Sequence, residues 1–392
     1  MELKERFTNI SQLVDKYLPL VSQRDMNAIV DNKFNHRWYD QLSDLTNSDF
    51  KKFDSNYDFK LLDCSEWTDL INKIQTLCSF NELEFTNLDI KVLGNSKKQH
   101  ELKSLFQLLK NRDIKKVVDF GGGVGNLANF LVDHINCDVC ILEKNEKLIS
   151  KGVQKASKRK NDIKYIHTDI GNDSSDYDLS NYDSAIGLHT CGNFATDMIR
   201  ECARHSINHI YNFGCCYSKI HNQDYNLSQA SNKKIVLNDR ALSCATLGLN
   251  NIPSEFYDYR QKILDYKFSF YHLAYLKFGN ETFFPMSNSR RSLYQKDFYE
   301  FINQTLKKYI PSSREISQNE SLDFYNSEKN QELLKYFQNY YSIYRYLSPL
   351  IEAYILCDRA LWLQEKGYKV EITEVFNKKI SPRNKLIYAT KH

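Results

Sequence analysis

The sequence is short of charge of one sign, of long apolar runs and of glycine, and each shortage excludes something. Its 392 residues carry 53 Lys and Arg against 49 Asp and Glu, a formal net charge of +4. That balance permits a local basic face without demanding a nucleic-acid partner. No stretch approaches the roughly 18 consecutive apolar residues of a membrane-spanning helix, so no membrane partner is expected. The start, Met1-Glu2-Leu3-Lys4-Glu5-Arg6-Phe7, lacks the basic-then-apolar order of a secretory signal. A cytoplasmic protein is expected, a nuclear one being the alternative, with its ten cysteines reduced.

What is present is ordinary for a globular chain: 42% hydrophobic and 26% charged residues, which excludes a largely disordered protein. The 26 Tyr and 23 Phe supply a sizeable core. The length suits two compact domains or one domain with a large insertion.

Glycine gives the first sharp clue. Of only 13 in the chain, four fall within five residues, at 121, 122, 123 and 125. Around them the pattern alternates between strand and helix. A helix over about Lys97–Leu109 precedes a strand Ile114–Phe120, a helix Asn126–His134 and a strand Asp138–Leu142. A helix Glu146–Lys158, strands Ile163–His167 and Tyr182–Leu188, a helix Gly192–His205 and a strand Ile207–Phe213 follow. Such alternation with short links implies a mainly parallel sheet covered on both faces.

Residues 1–95 read as helical, with Ile10, Leu13, Val14, Tyr17 and Leu18 at helical spacing. Trp38, Trp67 and Leu77-Cys78-Ser79-Phe80 read as packing anchors. From 219 to 345 the alternation stops, and this stretch reads as an inserted, mostly helical cap with helices at Arg240–Gly248, 291–308 and 330–345. Within it, the alternation of Tyr257, Tyr259, Phe268, Phe270 and Tyr271 suits a buried strand better than a base-stacking platform. A helix Pro349–Lys366 and strands Val370–Phe376 and Lys385–Thr390 close the chain as an antiparallel pair at the sheet edge. The expected divisions are thus 1–95, 96–218, 219–345 and 346–392.

The central motif is Val117-Val118-Asp119-Phe120-Gly121-Gly122-Gly123-Val124-Gly125. It follows a strand and opens a helix, so backbone N–H groups and the helix dipole face a ligand. A dinucleotide fingerprint would need glycine at 126, where the chain has Asn126. An acid two residues before the first glycine, with glycine at alternate positions after it, instead resembles motif I of the Rossmann-like methyltransferases. The resemblance implies a seven-stranded class I methyltransferase sheet and S-adenosylmethionine as cofactor. In that family Asp119 would sit near the methionine amino group. Glu143, ending the second strand, is positioned to take two ribose hydroxyls, and Asp169, after the third, matches the acid that meets the adenine amino group. Asn126, Lys144, Ile170 and His100 complete the expected cofactor site with Gly121, Gly123 and Gly125.

Ligands of an open α/β sheet bind beyond the carboxyl ends of its strands, so the next two strand tips should hold the acceptor. They read Gly187-Leu188-His189-Thr190-Cys191-Gly192-Asn193 and Phe213-Gly214-Cys215-Cys216-Tyr217. With Ala195-Thr196-Asp197, these look like the eukaryotic methyltransferase-like proteins once named ribosomal RNA adenine dimethylase domain-containing. Lys97-Lys98-Gln99-His100-Glu101, Leu347-Ser348-Pro349-Leu350-Ile351-Glu352 and Ser381-Pro382-Arg383-Asn384 match the same family. The likeness spans about 96–250 and 345–392. A related pattern occurs in a tRNA 2′-O-methyltransferase family, with Cys-Cys-His where this chain has Cys-Cys-Tyr. Gly122 also departs from the family, replacing a residue usually small or polar.

Methyl transfer is an in-line displacement, so the enzyme positions an acceptor atom and removes its proton. His189 reads equally as the general base and as a strand-end residue shaping the pocket. Asp197 reads as an orienting acid or as a solvated helix charge. Cys191, Cys215, Cys216 and Tyr217 complete the candidate catalytic set. Thiolate addition to a pyrimidine ring and simple small-residue packing both fit the cysteines. Metal binding is not expected, because consecutive residues on a strand point to opposite faces. Cys137 and Cys140 have metal-like spacing but lie on an apolar strand and read as core. RNA is the expected acceptor, on the tRNA-enzyme resemblance and the basic groups Lys97-Lys98, Lys151 to Lys160, Arg290-Arg291 and Lys378-Lys379 with Arg383. The Lys151 to Lys160 group also reads as a solvated helix face. A protein acceptor and a non-catalytic cofactor-binding scaffold are the alternatives; DNA is not expected.

Overall fold

A computed structural model of the chain describes residues 1–23, 41, 42, 44–56, 62–84, 90, 92, 94–171, 177–230, 234–247, 254–281, 283, 284, 286 and 291–391. Trp38, Gly248 and Arg290, singled out above, lie outside the described residues, as does the side chain of Arg291. The chain divides into two compact units. One gathers Met1–Tyr17, Thr76–Asn250 and Ser348–His392; the other gathers Leu18–Gln75 and Asn251–Leu347.

The first unit is built on a sheet of eight strands among the described residues: β1 Asn81–Glu82, β2 Lys116–Phe120, β3 Asp138–Glu143, β4 Ile163–His167, β5 Ser184–Cys191, β6 His209–Cys215, β7 Lys369–Glu374 and β8 Lys385–Thr390. Their spatial order is β1-β7-β8-β6-β5-β2-β3-β4. Strands β2 to β6 run parallel, and β8 runs antiparallel to both β6 and β7. This is the expected Rossmann-like α/β class, its seven class I strands being β2 to β8. The eighth, β1, adds two residues outside β7, pairing Asn81 with Thr373. The closing pair is therefore not the edge foreseen from the sequence. β8 is wedged inside the sheet, and β1 covers the outer side of β7.

Burial explains the strand composition. Val117, Val118, Asp119 and Phe120 are all buried on β2, as residues of a parallel strand covered on both faces must be. Cys137 and Cys140 are buried at β3 and belong to the core, with the Cys137 thiol pushed up to about 12 by burial. The helix Ser96–Leu109 is capped by Asn95, whose side chain accepts the Lys98 amide. It buries Leu102, Leu105 and Leu109 against the sheet's core, a helical spacing that also carries Glu101 inward. The parallel order reverses about β2, which pairs with β3 on one side and β5 on the other. The crevice beyond its carboxyl end is thus the place for a ligand.

The second unit is helical among its described residues. The stretch read as a buried strand, Tyr257 to Tyr271, lies within one helix, Ser254–Phe278. Aromatics this dense satisfy a period of 2 and a period of 3.6 alike, and the first glycine after them is Gly279, so nothing breaks the helix sooner. Phe268 stacks on Phe337 of the helix Glu328–Tyr346 with ring centroids 4.1 Å apart and planes 7° from parallel. Asp297 and Ser327 cap the helices Phe298–Tyr309 and Glu328–Tyr346.

Candidate cofactor cleft and acceptor tips

From β2 the backbone turns through Gly121, Gly122 and Gly123 into the helix Asn126–Ile135. Gly121 has φ +70°, and a Cβ there would stand 2.9 Å from the Phe194 ring. At Gly122 the constraint is space: a Cβ would meet Asp119 Oδ2 at 2.5 Å. The departure from the family pattern at 122 therefore has a physical reason, since Asp119 occupies the volume of any side chain there.

Asp119 is 2% exposed, and its Oδ2 has no hydrogen-bond partner. Burial pushes its carboxyl up to about 7; Lys98 opposes and Glu143 reinforces that shift. A buried acceptor left unpaired is costly, and it fits a donor carried in by a ligand. Glu143 is fixed differently. Its Oε2 accepts the Gly123 amide at 3.0 Å and its Oε1 accepts the Asn145 amide at 2.9 Å. Each oxygen keeps a second lone pair, so the clamped carboxylate can still accept from two hydroxyls. These two acids and the glycine turn fit S-adenosylmethionine.

A cleft of about 810 Å³ opens beyond the strand ends. Gly121, Glu143, Lys144, Asp169 and Ile170 line it together with His189, Cys191 and Asp197. Lys144 and Asp169 pair at 3.7 Å on the rim. Asp119 lies beneath the turn. Phe194, Lys219 and His221 also line the cleft and were not singled out from the sequence. Their only signal is adjacency: Phe194 follows the β5 tip, and Lys219 and His221 follow Cys-Cys-Tyr.

Asp119, Gly123, Gly125, Cys215 and Cys216 adjoin the cleft without lining it, and His100, Tyr217 and Asn126, also outside the lining, are held by other partners. His100 Nε2 accepts the Asn377 amide at 2.8 Å, and its ring meets the edge of Phe376. Tyr217 is buried, and its hydroxyl donates to Glu352 Oε1 at 3.1 Å. Asn126 accepts from Lys155. For Tyr217 the cause is the backbone: Cys216, at φ 51° and ψ 51°, is left-handed and redirects the chain that follows. Glu352 also accepts from Lys385, which gives the Leu347–Glu352 stretch a structural role.

His189 sits at φ 66° where the β5–β6 pairing slips between Leu188 and Thr190. That bulge delivers its Nε2 to Glu101 Oε1 at 2.9 Å. Glu101 also accepts from Ser381 Oγ at 2.8 Å and lies 3.6 Å from Lys97 Nζ. Burial works against its charge, but His189, Ser381 and Lys97 outweigh burial and hold the carboxyl at about 2. Glu101 is therefore an anchored anion that fixes the imidazole. It was visible in the sequence only as part of a family stretch. Asp197 is pushed up to about 6 by burial and by Asp224, against Arg200 and Arg359.

The cysteines overturn the expected strand alternation. Cys191 and Cys215 are register partners at the ends of β5 and β6, with Sγ atoms 3.2 Å apart. Alternation would send Cys216 to the opposite face, but its left-handed backbone returns it, and all three sulfurs lie within 4.8 Å of one another. Hydrogen bonding from Cys215 lowers the Cys191 thiol despite burial, with Cys216, Lys219 and His189 adding to it. Cys215 and Cys216 are shifted up, Cys215 chiefly by its hydrogen bond with Cys191 and Cys216 chiefly by burial.

Residues 97–223 match a family described as a methyltransferase domain. A curated relative, the glutathione S-transferase C-terminal domain-containing protein homolog of Drosophila pseudoobscura pseudoobscura, is 28% identical over 128 residues. The match takes in 32% of this chain and 21% of that protein, about a fifth of its length. Among solved structures, the tRNA (uracil-54, C5)-methyltransferase of Pyrococcus abyssi with S-adenosyl-L-homocysteine is 16% identical. It covers 29% of this chain and 28% of its own, at a TM-score of 0.24. Magnesium protoporphyrin IX methyltransferase of Synechocystis is 19% identical, covering 31% and 61% at 0.25. Residues 97–223 are thus similar to a methyltransferase domain, and the two acids and the glycine turn within them fit S-adenosylmethionine.

Proposed function

We propose that the chain transfers the methyl group of S-adenosylmethionine to RNA. In this reading Asp119 receives the ammonium of the cofactor's methionine, Glu143 its two ribose hydroxyls and Asp169 its adenine amino group. The cofactor supplies a methyl on a sulfonium, ready for in-line displacement. The chain's own task is to hold the acceptor and take its proton. His189 is the base, and the anchored Glu101 carboxylate supports the imidazolium that results. Asp197, which lies against Gly171, orients the acceptor.

The acceptor class rests on one observation. Cations from three separate elements surround the acceptor tips: Lys97 at 3.6 Å from the Glu101 carboxylate, Lys219 acting on Cys191, and Arg383 acting on Cys216. Three positive charges around a methylation site suit a phosphate backbone better than a peptide. The resemblance of the tips to a tRNA 2′-O-methyltransferase family supports the same class.

The test begins with calorimetry of S-adenosylmethionine, with NAD as control, on wild type and Asp119→Ala. Selective binding that the substitution abolishes is expected. Radiolabelled methyl is then offered to RNA and protein extracts. Label in RNA, weakened by salt and by Arg383→Glu, is the expected result; label in protein alone makes a peptide the acceptor. A folded wild type that binds no cofactor removes the enzymatic reading and leaves the scaffold.

A further inference from the structure

We propose that Cys191, Cys215 and Cys216 hold one thiophilic divalent cation, Zn2+ by the chemistry of its donors, with a fourth coordination position open toward the cleft. The inference is independent of the acceptor's identity and stands on sulfur geometry.

An ion bound tetrahedrally by thiolates at about 2.3 Å sets its ligand sulfurs roughly 3.8 Å apart. Here the three sulfurs all lie within 4.8 Å of one another, with Cys191 and Cys215 at 3.2 Å, a cluster of the size that spacing needs. A disulfide between register partners would use Cys191 and Cys215 and leave the third thiol without a purpose. The third thiol is the one that required special backbone. Cys216 adopts left-handed dihedrals that a side chain other than glycine, Asn or Asp rarely accepts, and that conformation is what returns its sulfur to the other two. The turn at Cys216 and the register of Cys191 with Cys215 thus converge three soft donors on one point.

Among the described residues no fourth His, Cys, Asp or Glu joins the group. Three protein ligands with one open position is the arrangement of a catalytic rather than a structural zinc site. Cys191 belongs to the cleft wall, while Cys215 is buried behind it, so the open side is the cleft side. Water or a donor atom of the incoming acceptor would complete the coordination. Three thiolates also select against Mg2+ and Ca2+, which prefer oxygen.

The experiment uses the full chain, reduced and stripped of metal, titrated with Co2+ as a spectroscopic stand-in and then with Zn2+. About one Co2+ per chain is expected, with the thiolate-to-metal charge-transfer band and the intense visible bands of tetrahedral cobalt, bleached by Zn2+. Cys191→Ser and Cys216→Ser, each checked for folding by circular dichroism, should each weaken binding at least tenfold. Cys215→Ser risks the buried strand end, so the conclusion rests on the other two. Absence of thiolate bands in the folded, reduced wild type overturns the proposal. Bands that survive in both variants, or an iron–sulfur chromophore in the protein as purified, overturn it as well.

Discussion

Replacing Asp119 by Asn separates the cost of that residue from its use. The carboxyl is buried on β2 with one oxygen unpaired, and its pKa rises from the ordinary 3.8 to about 7, chiefly through burial. A carboxyl that binds its proton more tightly in the folded state contributes a penalty that is absent below pH 3.8. The penalty grows as pH rises and is complete above about 7. Three pKa units correspond to about 4 kcal/mol at 1.36 kcal/mol per unit. Asn is nearly the same shape and carries no charge. Asp119→Asn should therefore be more stable than wild type by up to about 4 kcal/mol at pH 8, with the gain shrinking to nothing near pH 4. Urea unfolding of both proteins between pH 4 and 8, without cofactor, measures the gap. Over the same range the variant should lose affinity for S-adenosylmethionine. Wild-type affinity should rise as Asp119 ionises through pH 7. A stability difference that stays constant across this window would refute the argument, because it would mean that the carboxyl does not titrate there.

Three further outcomes are expected. Gly122→Ala should cut cofactor affinity at least tenfold by calorimetry, since its Cβ would stand 2.5 Å from Asp119 Oδ2 and 2.9 Å from Ile141 Cγ2, forcing one of them to move. Glu101→Gln should lower kcat while leaving cofactor affinity unchanged, because it removes the anion that fixes His189. Its folded-state value is depressed to about 2, so the stability this carboxylate adds is present above 4.5 and lost as pH falls toward 2. Melting curves of variant and wild type should converge over that interval. In the helical unit, Phe268→Ala should cost about 3–5 kcal/mol in urea unfolding, as a buried ring stacked on Phe337 is lost.

What the sequence made legible was set by which forces act locally. Strands β4 and β8 were placed to the residue, because a short apolar run bounded by polar turns leaves few alternatives. The order of glycines and acids from Asp119 to Asp169 was legible because successive βα turns must deliver them to one side of a parallel sheet. Tertiary direction was not legible. Whether Tyr217 faces the cleft or Glu352 depends on the dihedrals of Cys216, which no residue-type preference announces. Glu101 is an ordinary helix acid until the β5 bulge brings His189 to it. The helix Ser254–Phe278 was misread because dense aromatics erase the difference between the two periods.

The placement of β8 has a consequence for the order in which the protein can be completed. β6 waits for its neighbour until Lys385–Thr390 has been made, because that neighbour is β8 and not the next strand in sequence. Through that interval the side of β6 offers unpaired amides and carbonyls to any strand nearby. A nascent chain, or a product of a late premature stop, would carry every residue of the cofactor turn and still present an adhesive, half-finished sheet. Loss of β8 would thus be felt as aggregation during synthesis, far from the chemistry.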